Sequence, residues 1–139
     1  MIVVDSCGWL EYFADSDRAE LFRPAIEGAT MLIVPSICIL EVSKTLLRER
    51  GREIALRCVA AMRIGHLVNL DEQLAVNAAT VATQLRMPTA DSIVLATAQL
   101  FDATVWTQDA DFENKPGVKF FRRANANSVG FDDRGHSVR

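Results

Sequence analysis

Ile2-Val3-Val4-Asp5 decides how this chain folds. Three β-branched apolar residues run together and stop at an acid. A run this short and this apolar reads as a strand buried on both faces, as in a parallel sheet. Met31-Leu32-Ile33-Val34, stopped by Pro35, reads the same way, and so does Thr104-Val105-Trp106-Thr107. Leu67-Val68 and Val118-Lys119-Phe120-Phe121 are shorter strand candidates. Helical patterns separate them. Asp5 or Ser6 caps a short helix carrying Trp9, Leu10 and Phe13, and a second runs from about Ala19 to Ile26 before Gly28. Ser36 is the expected N-cap of a helix from Ile37 to about Arg50, ended by Gly51. Arg52 to Arg63 forms another. Asp71 caps a long helix with Leu74, Ala78, Val81, Ala82 and Leu85 on one face. Pro88-Thr89 opens a last helix over about Asp91–Phe101. Apolar strands alternating with helices predict a layered α/β fold with a mostly parallel sheet.

The composition fits one such domain. The chain has 139 residues, half of them hydrophobic and 24% charged. A chain of this size buries roughly two-thirds of its unfolded surface, so no staples are needed. Its three cysteines, Cys7, Cys38 and Cys58, are odd in number and widely spaced, with no CxxC. That argues against a disulfide framework or a cysteine zinc site and for a reducing, cytoplasmic setting. The start lacks a basic region, and the longest apolar stretch, Met31 to Leu40, is about half of the ~20 residues a membrane span needs. Residues 1–123 are expected to form the domain. Residues 124–139, polar and rich in Asn, Asp and Gly, read as a loose or partner-docked tail.

A net charge of −3 argues against a uniformly basic nucleic-acid binder. The charge is nevertheless blocked. Residues 1–43 carry seven acids and two bases, whereas 44–63 carry six bases and two acids. Residues 64–118 are again acidic and 119–139 basic. Lys44, Arg48 and Arg52 are therefore candidates for phosphate contacts, against the plainer reading of a solvated helix face.

Ligands of an open parallel sheet bind at the carboxyl ends of its strands. Asp5 ends the first strand, and Asp109 lies just beyond the strand closed by Thr107. Asp91 sits in the first turn of a helix, and Glu41 in the early turns of the helix after Pro35. Singly, each has an ordinary explanation as a cap or turn residue. Together, at one sheet edge, they repel one another unless protons or a cation intervene. An all-oxygen ligand set of this kind suits Mg²⁺ or Mn²⁺.

Four motifs, taken in order, resemble the PIN-domain family, and in particular VapC toxins of toxin–antitoxin pairs. They are the opening strand with Asp5-Ser6; Ile39-Leu40-Glu41-Val42; Thr89-Ala90-Asp91-Ser92-Ile93-Val94-Leu95-Ala96-Thr97-Ala98; and Trp106-Thr107-Gln108-Asp109-Ala110-Asp111-Phe112. The third resembles the pattern Ala-Asp-x-x-Ile-Ala-Ala-x-Ala and the fourth Thr-x-Asp-x-Asp-Phe. Ser92 stands where Ala is common, and Cys7 lies near the first acid. The resemblance implies a three-layer α/β/α sandwich and a Mg²⁺- or Mn²⁺-dependent endoribonuclease. Asp5, Glu41, Asp91 and Asp109 fall on the acidic quartet, and Asp111 is a lesser fifth candidate. Thr107 and Ser6 stand where supporting hydroxyls occur. It also implies tRNA or rRNA as substrate, a homodimer, and a VapB-like antitoxin through which alone the toxin meets DNA. Trp9, Tyr12 and Phe13 then serve either as first-helix core or as part of an antitoxin groove.

The reaction expected of such a site is in-line attack of an activated water on a phosphodiester, with departure of the 3′ oxygen. His66 and His136 do not form the acid–base pair of a metal-free route. Haloacid-dehalogenase chemistry wants an acid where Cys7 stands, and no GxxxxGK[ST] or GxGxxG loop occurs. The alternative is a PIN-like module that binds RNA or protein without cutting.

Overall fold

The structure is a computed structural model. It describes residues 1–123 and, beyond them, the backbone at Gly130–Phe131 and Ser137–Val138. Five strands form one sheet: β1 (Ile2–Val4), β2 (Leu32–Pro35), β3 (His66–Val68), β4 (Thr104–Thr107) and β5 (Val118–Phe120). Their order is β3-β2-β1-β4-β5, and every neighbouring pair is parallel. Val3, Val4, Ile33, Val34 and Val105 are fully buried, which is why these strands show no polar alternation.

The connections carry α1 (Ser6–Ala14), α2 (Ala19–Gly28), α3 (Ser36–Glu49), α4 (Arg52–Met62), α5 (Glu72–Leu85) and α6 (Thr89–Leu100). The chain steps from β1 outward to β3 and then returns to β4, on the other side of β1. Right-handed crossovers running in opposite directions put helices on both faces, giving the α/β/α sandwich. The chain's direction across the sheet reverses between β1 and β4, and such a switch point is where an open α/β sheet forms its ligand crevice, at the carboxyl ends. Asp5 and Asp109 follow those two strands.

α6 is not amphipathic. Every residue from Asp91 to Ala98 is buried, because the helix packs on α3 and α5 as well as on β1, β2 and β4. Its polar residues are accommodated locally. Ser92 donates to the Thr89 carbonyl at 2.6 Å and Thr97 to the Ile93 carbonyl at 2.7 Å.

Ser36 corrects the capping assignment. Pro35 holds the N-cap position of α3, and Ser36 is already helical. Its hydroxyl instead accepts the Leu70 amide, tying the approach to α5 against the start of α3. The reading of 124–139 as a tail lies outside the described residues, apart from a two-stranded antiparallel pair, β6 (Gly130–Phe131) with β7 (Ser137–Val138). Among the described residues no helix is long and apolar enough to cross a membrane.

Gly8 sets how closely α1 approaches the sheet. A Cβ there would stand 2.6 Å from Phe22 Cδ1 and 2.7 Å from Val4 Cγ1, and Phe22 is fully buried. Gly8→Ala is expected to destabilise the protein by about 1–3 kcal/mol, read from the denaturant midpoint. An unchanged midpoint would show that α1 can lift without cost.

Candidate metal centre

Asp5 is the N-cap of α1, and its backbone leaves β1 directly into the crevice. Only 2% of its surface is exposed. The carboxylate accepts the Ser6 amide at 2.8 Å, the Thr107 hydroxyl at 2.9 Å and, more weakly, the Cys7 thiol at 3.5 Å. Burial nevertheless raises its pKa against the lowering effect of those bonds, and repulsion from Asp109 adds to the rise.

Thr107 closes β4 and is fully buried. Its hydroxyl donates to Asp5 and accepts the Asp109 amide at 3.0 Å, so one side chain sets the spacing of two acids. Asp109 in turn caps the 3₁₀ turn Ala110–Phe112 by accepting the Asp111 amide at 2.9 Å. Asp91 enters from the first turn of α6, where its half of the crevice is lined by a buried helix. One carboxylate oxygen each from Asp5, Asp91 and Asp109 can be chosen so that all three lie within 4.8 Å of one another.

Among the described residues no ion pair reaches these three acids. The cost appears at Asp91, whose pKa is pushed up to about 8 by burial first, then by repulsion from Asp109, Asp5 and Asp111, and by a hydrogen bond to Asp111. Three hard oxygen donors with uncompensated charge fit a divalent cation such as Mg²⁺ or Mn²⁺. Cys7 offers no competing soft ligand. Burial, reinforced by Asp5, pushes its thiol up to about 12.

Glu41 stands apart from the cluster of three. It is half-buried on α3, and its pKa is raised by burial and then by Asp5; a Ser6 hydrogen bond and, less strongly, the Lys44 ammonium oppose the rise, while Asp109 adds to it. It therefore flanks the trio rather than joining it. Asp111 is exposed and meets the site through Asp91. Lys44, Arg48 and Arg52 are all exposed; Lys44 is the one whose charge is felt at Glu41. Trp9 is buried, whereas Tyr12 and Phe13 are half-buried. With Arg23, Glu27 and Ile64 they line a cavity of about 740 Å³.

Sequence reasoning missed Arg18 and Gln108. Gln108 is 3% exposed, and its Oε1 accepts Arg18 Nε from the turn between α1 and α2. No periodic signal marks a contact between two loops this far apart in the chain.

The family model for the PIN domain matches residues 2–118. No curated protein sequence matches the chain. Among solved structures, a toxin–antitoxin complex from Klebsiella pneumoniae superposes with a TM-score of 0.74 at 21% identity, covering 86% of this chain and 96% of that one. VapC20 of Mycobacterium tuberculosis, a Sarcin-Ricin loop cleaving toxin, gives 0.72 at 18%, covering 85% and 97%. DNA-bound VapBC from Salmonella typhimurium gives 0.67 at 15%, covering 86% and 96%. At these identities the likeness speaks for the fold.

Proposed function

The chain belongs to the PIN-domain family, and from that premise we propose that it is a metal-dependent endoribonuclease, the toxin of a VapBC-type pair. The observation that carries the reading is the trio Asp5, Asp91 and Asp109, gathered within 4.8 Å at the switch point with no ion-pair partner among the described residues. A divalent cation held there would supply charge neutralisation and lower the pKa of a water. Asp5, Asp91 and Asp109 hold that cation, and Thr107 and Ser6 hold the carboxylates in register. Glu41, beside the trio on α3, would accept the proton of the attacking water at its carboxylate oxygen as the new P–O bond forms and the P–O3′ bond breaks. Lys44, Arg48 and Arg52 guide the RNA backbone along the edge of α3 and the start of α4. The partner is a VapB-like antitoxin seated in the cavity lined by Trp9, Tyr12 and Phe13; the toxin is a cytoplasmic homodimer and meets DNA only through that antitoxin.

The test is cleavage of total tRNA and of ribosomal RNA by the purified chain. Fragments are expected with Mg²⁺ or Mn²⁺, none with EDTA, and fragments again when metal is restored. Cleavage persisting in chelator would overturn metal dependence. Intact RNA of both kinds with folded, metal-supplied protein would overturn the nuclease.

A further inference from the structure

Gln108 lies between the two residues that anchor the site, Thr107 and Asp109. It is a buried carboxamide with one half unpartnered among the described residues, where Nε2 has no hydrogen bond and Oε1 has one, from Arg18. Arg18 is half-buried, and its own amide is fixed by the Ser16 hydroxyl at 3.2 Å, which in turn donates to Glu11. The guanidinium is forked. While Nε holds Gln108, Nη2 donates to the Phe121 carbonyl at 3.1 Å, just past β5. Phe121 is itself laddered to β4, its amide donating to the Thr107 carbonyl at 2.9 Å.

Arg18 thus clasps the backs of two adjacent strand ends from a third element. Without it both ends of the Gln108 amide would be buried and unpaired, a state that drives such a group to turn towards water. The backbone it would drag continues directly into Asp109. We propose that Arg18 is a positioning residue of the metal centre, acting through Gln108 to hold Asp109 at its place in the Asp5–Asp91–Asp109 trio. The inference rests on the reading of that trio as a cation site.

Two roles for Arg18 predict opposite signs. A cation acting only through space repels a metal ion, so removing it would tighten metal binding. A positioning residue, when lost, loosens it, and outer-shell partners are commonly worth about 10-fold or more in metal affinity.

Calorimetric titration of the full chain with Mn²⁺ decides between them, using the unaltered protein, Arg18→Met, Gln108→Met and the double variant. Both single variants are expected to bind about tenfold more weakly. The double variant is expected to be no weaker than either, because the two residues act as a unit. Unchanged or tighter binding in Arg18→Met overturns the inference, as do losses that multiply in the double variant. Arg18→Lys keeps the charge and loses the fork, so it serves if Arg18→Met does not fold. A comparable loss at an unchanged melting temperature supports the clasp, and full affinity overturns it. An unaltered protein that binds no Mn²⁺ is a separate result; it overturns the cation reading and the inference with it.

Discussion

Asp91→Asn is expected to lower RNA cleavage by more than about a hundredfold while raising the melting temperature of the metal-free protein at pH 9. The rate effect follows from position. Loss of a supporting outer residue already costs about 10–100-fold, and Asp91 is proposed above as a direct ligand. The stability effect follows from burial and repulsion. Asp91 is 8% exposed and faces Asp109, Asp5 and Asp111, so its ionised form is disfavoured in the folded chain. Asparagine keeps the shape and discards the charge. Asp5→Ala should be equally inactive and, in contrast, less stable, because it strands the Thr107 hydroxyl and the Ser6 amide. Cleavage by Asp91→Asn within tenfold of the unaltered rate would remove Asp91 from the ligand set. A lowered melting temperature at pH 9 would show that its charge is compensated.

Mn²⁺ affinity is expected to climb about tenfold per pH unit between roughly pH 5.5 and 8 and then to level off. The folded, metal-free protein holds a proton on Asp91 up to about pH 8, whereas in the unfolded chain the group titrates near 3.8. A metal ion must displace that proton. The same difference sets the stability of the metal-free protein. Below about pH 4 both states are protonated and the contribution is whole; it is lost progressively as pH rises through about 8. Asp5 and Glu41 are shifted in the same direction and add to the trend. Melting of the metal-free protein should therefore come at lower temperature at pH 9 than at pH 5.5, and saturating Mn²⁺ should shrink the gap. Titrations in buffers of different ionisation enthalpy count the released proton directly. A pH-independent affinity, or the same slope in Asp91→Asn, would contradict the assignment.

Much of this was legible in the sequence, for identifiable reasons. A strand buried on both faces has no room for charge, so the acid that ends it announces the sheet edge, as Asp5 does after Val4 and Asp109 beyond Thr107. Asp91 was legible because a carboxylate in the first turn of a helix opens an apolar run. The standing of Glu41 beside the trio rather than within it depends on how α3 is seated on β2, which no spacing encodes. The complete burial of α6 was hidden by Ser92 and Thr97, whose hydroxyls satisfy themselves on their own helix. Ser36 looked like a cap, but its hydroxyl found a loop amide instead. The Arg18–Gln108 clasp joins two irregular segments, where side-chain periodicity carries no information.

The position of β1 between β2 and β4 also has a bearing on synthesis. Asp5 leaves the ribosome well ahead of Thr107, which fixes its carboxylate and lies 102 residues downstream. Until β4 emerges, one side of β1 has no neighbour and the crevice has one wall. Contacts this distant in sequence form late in folding. The nascent polypeptide therefore carries an incomplete acidic centre until Thr107 and Asp109 have emerged.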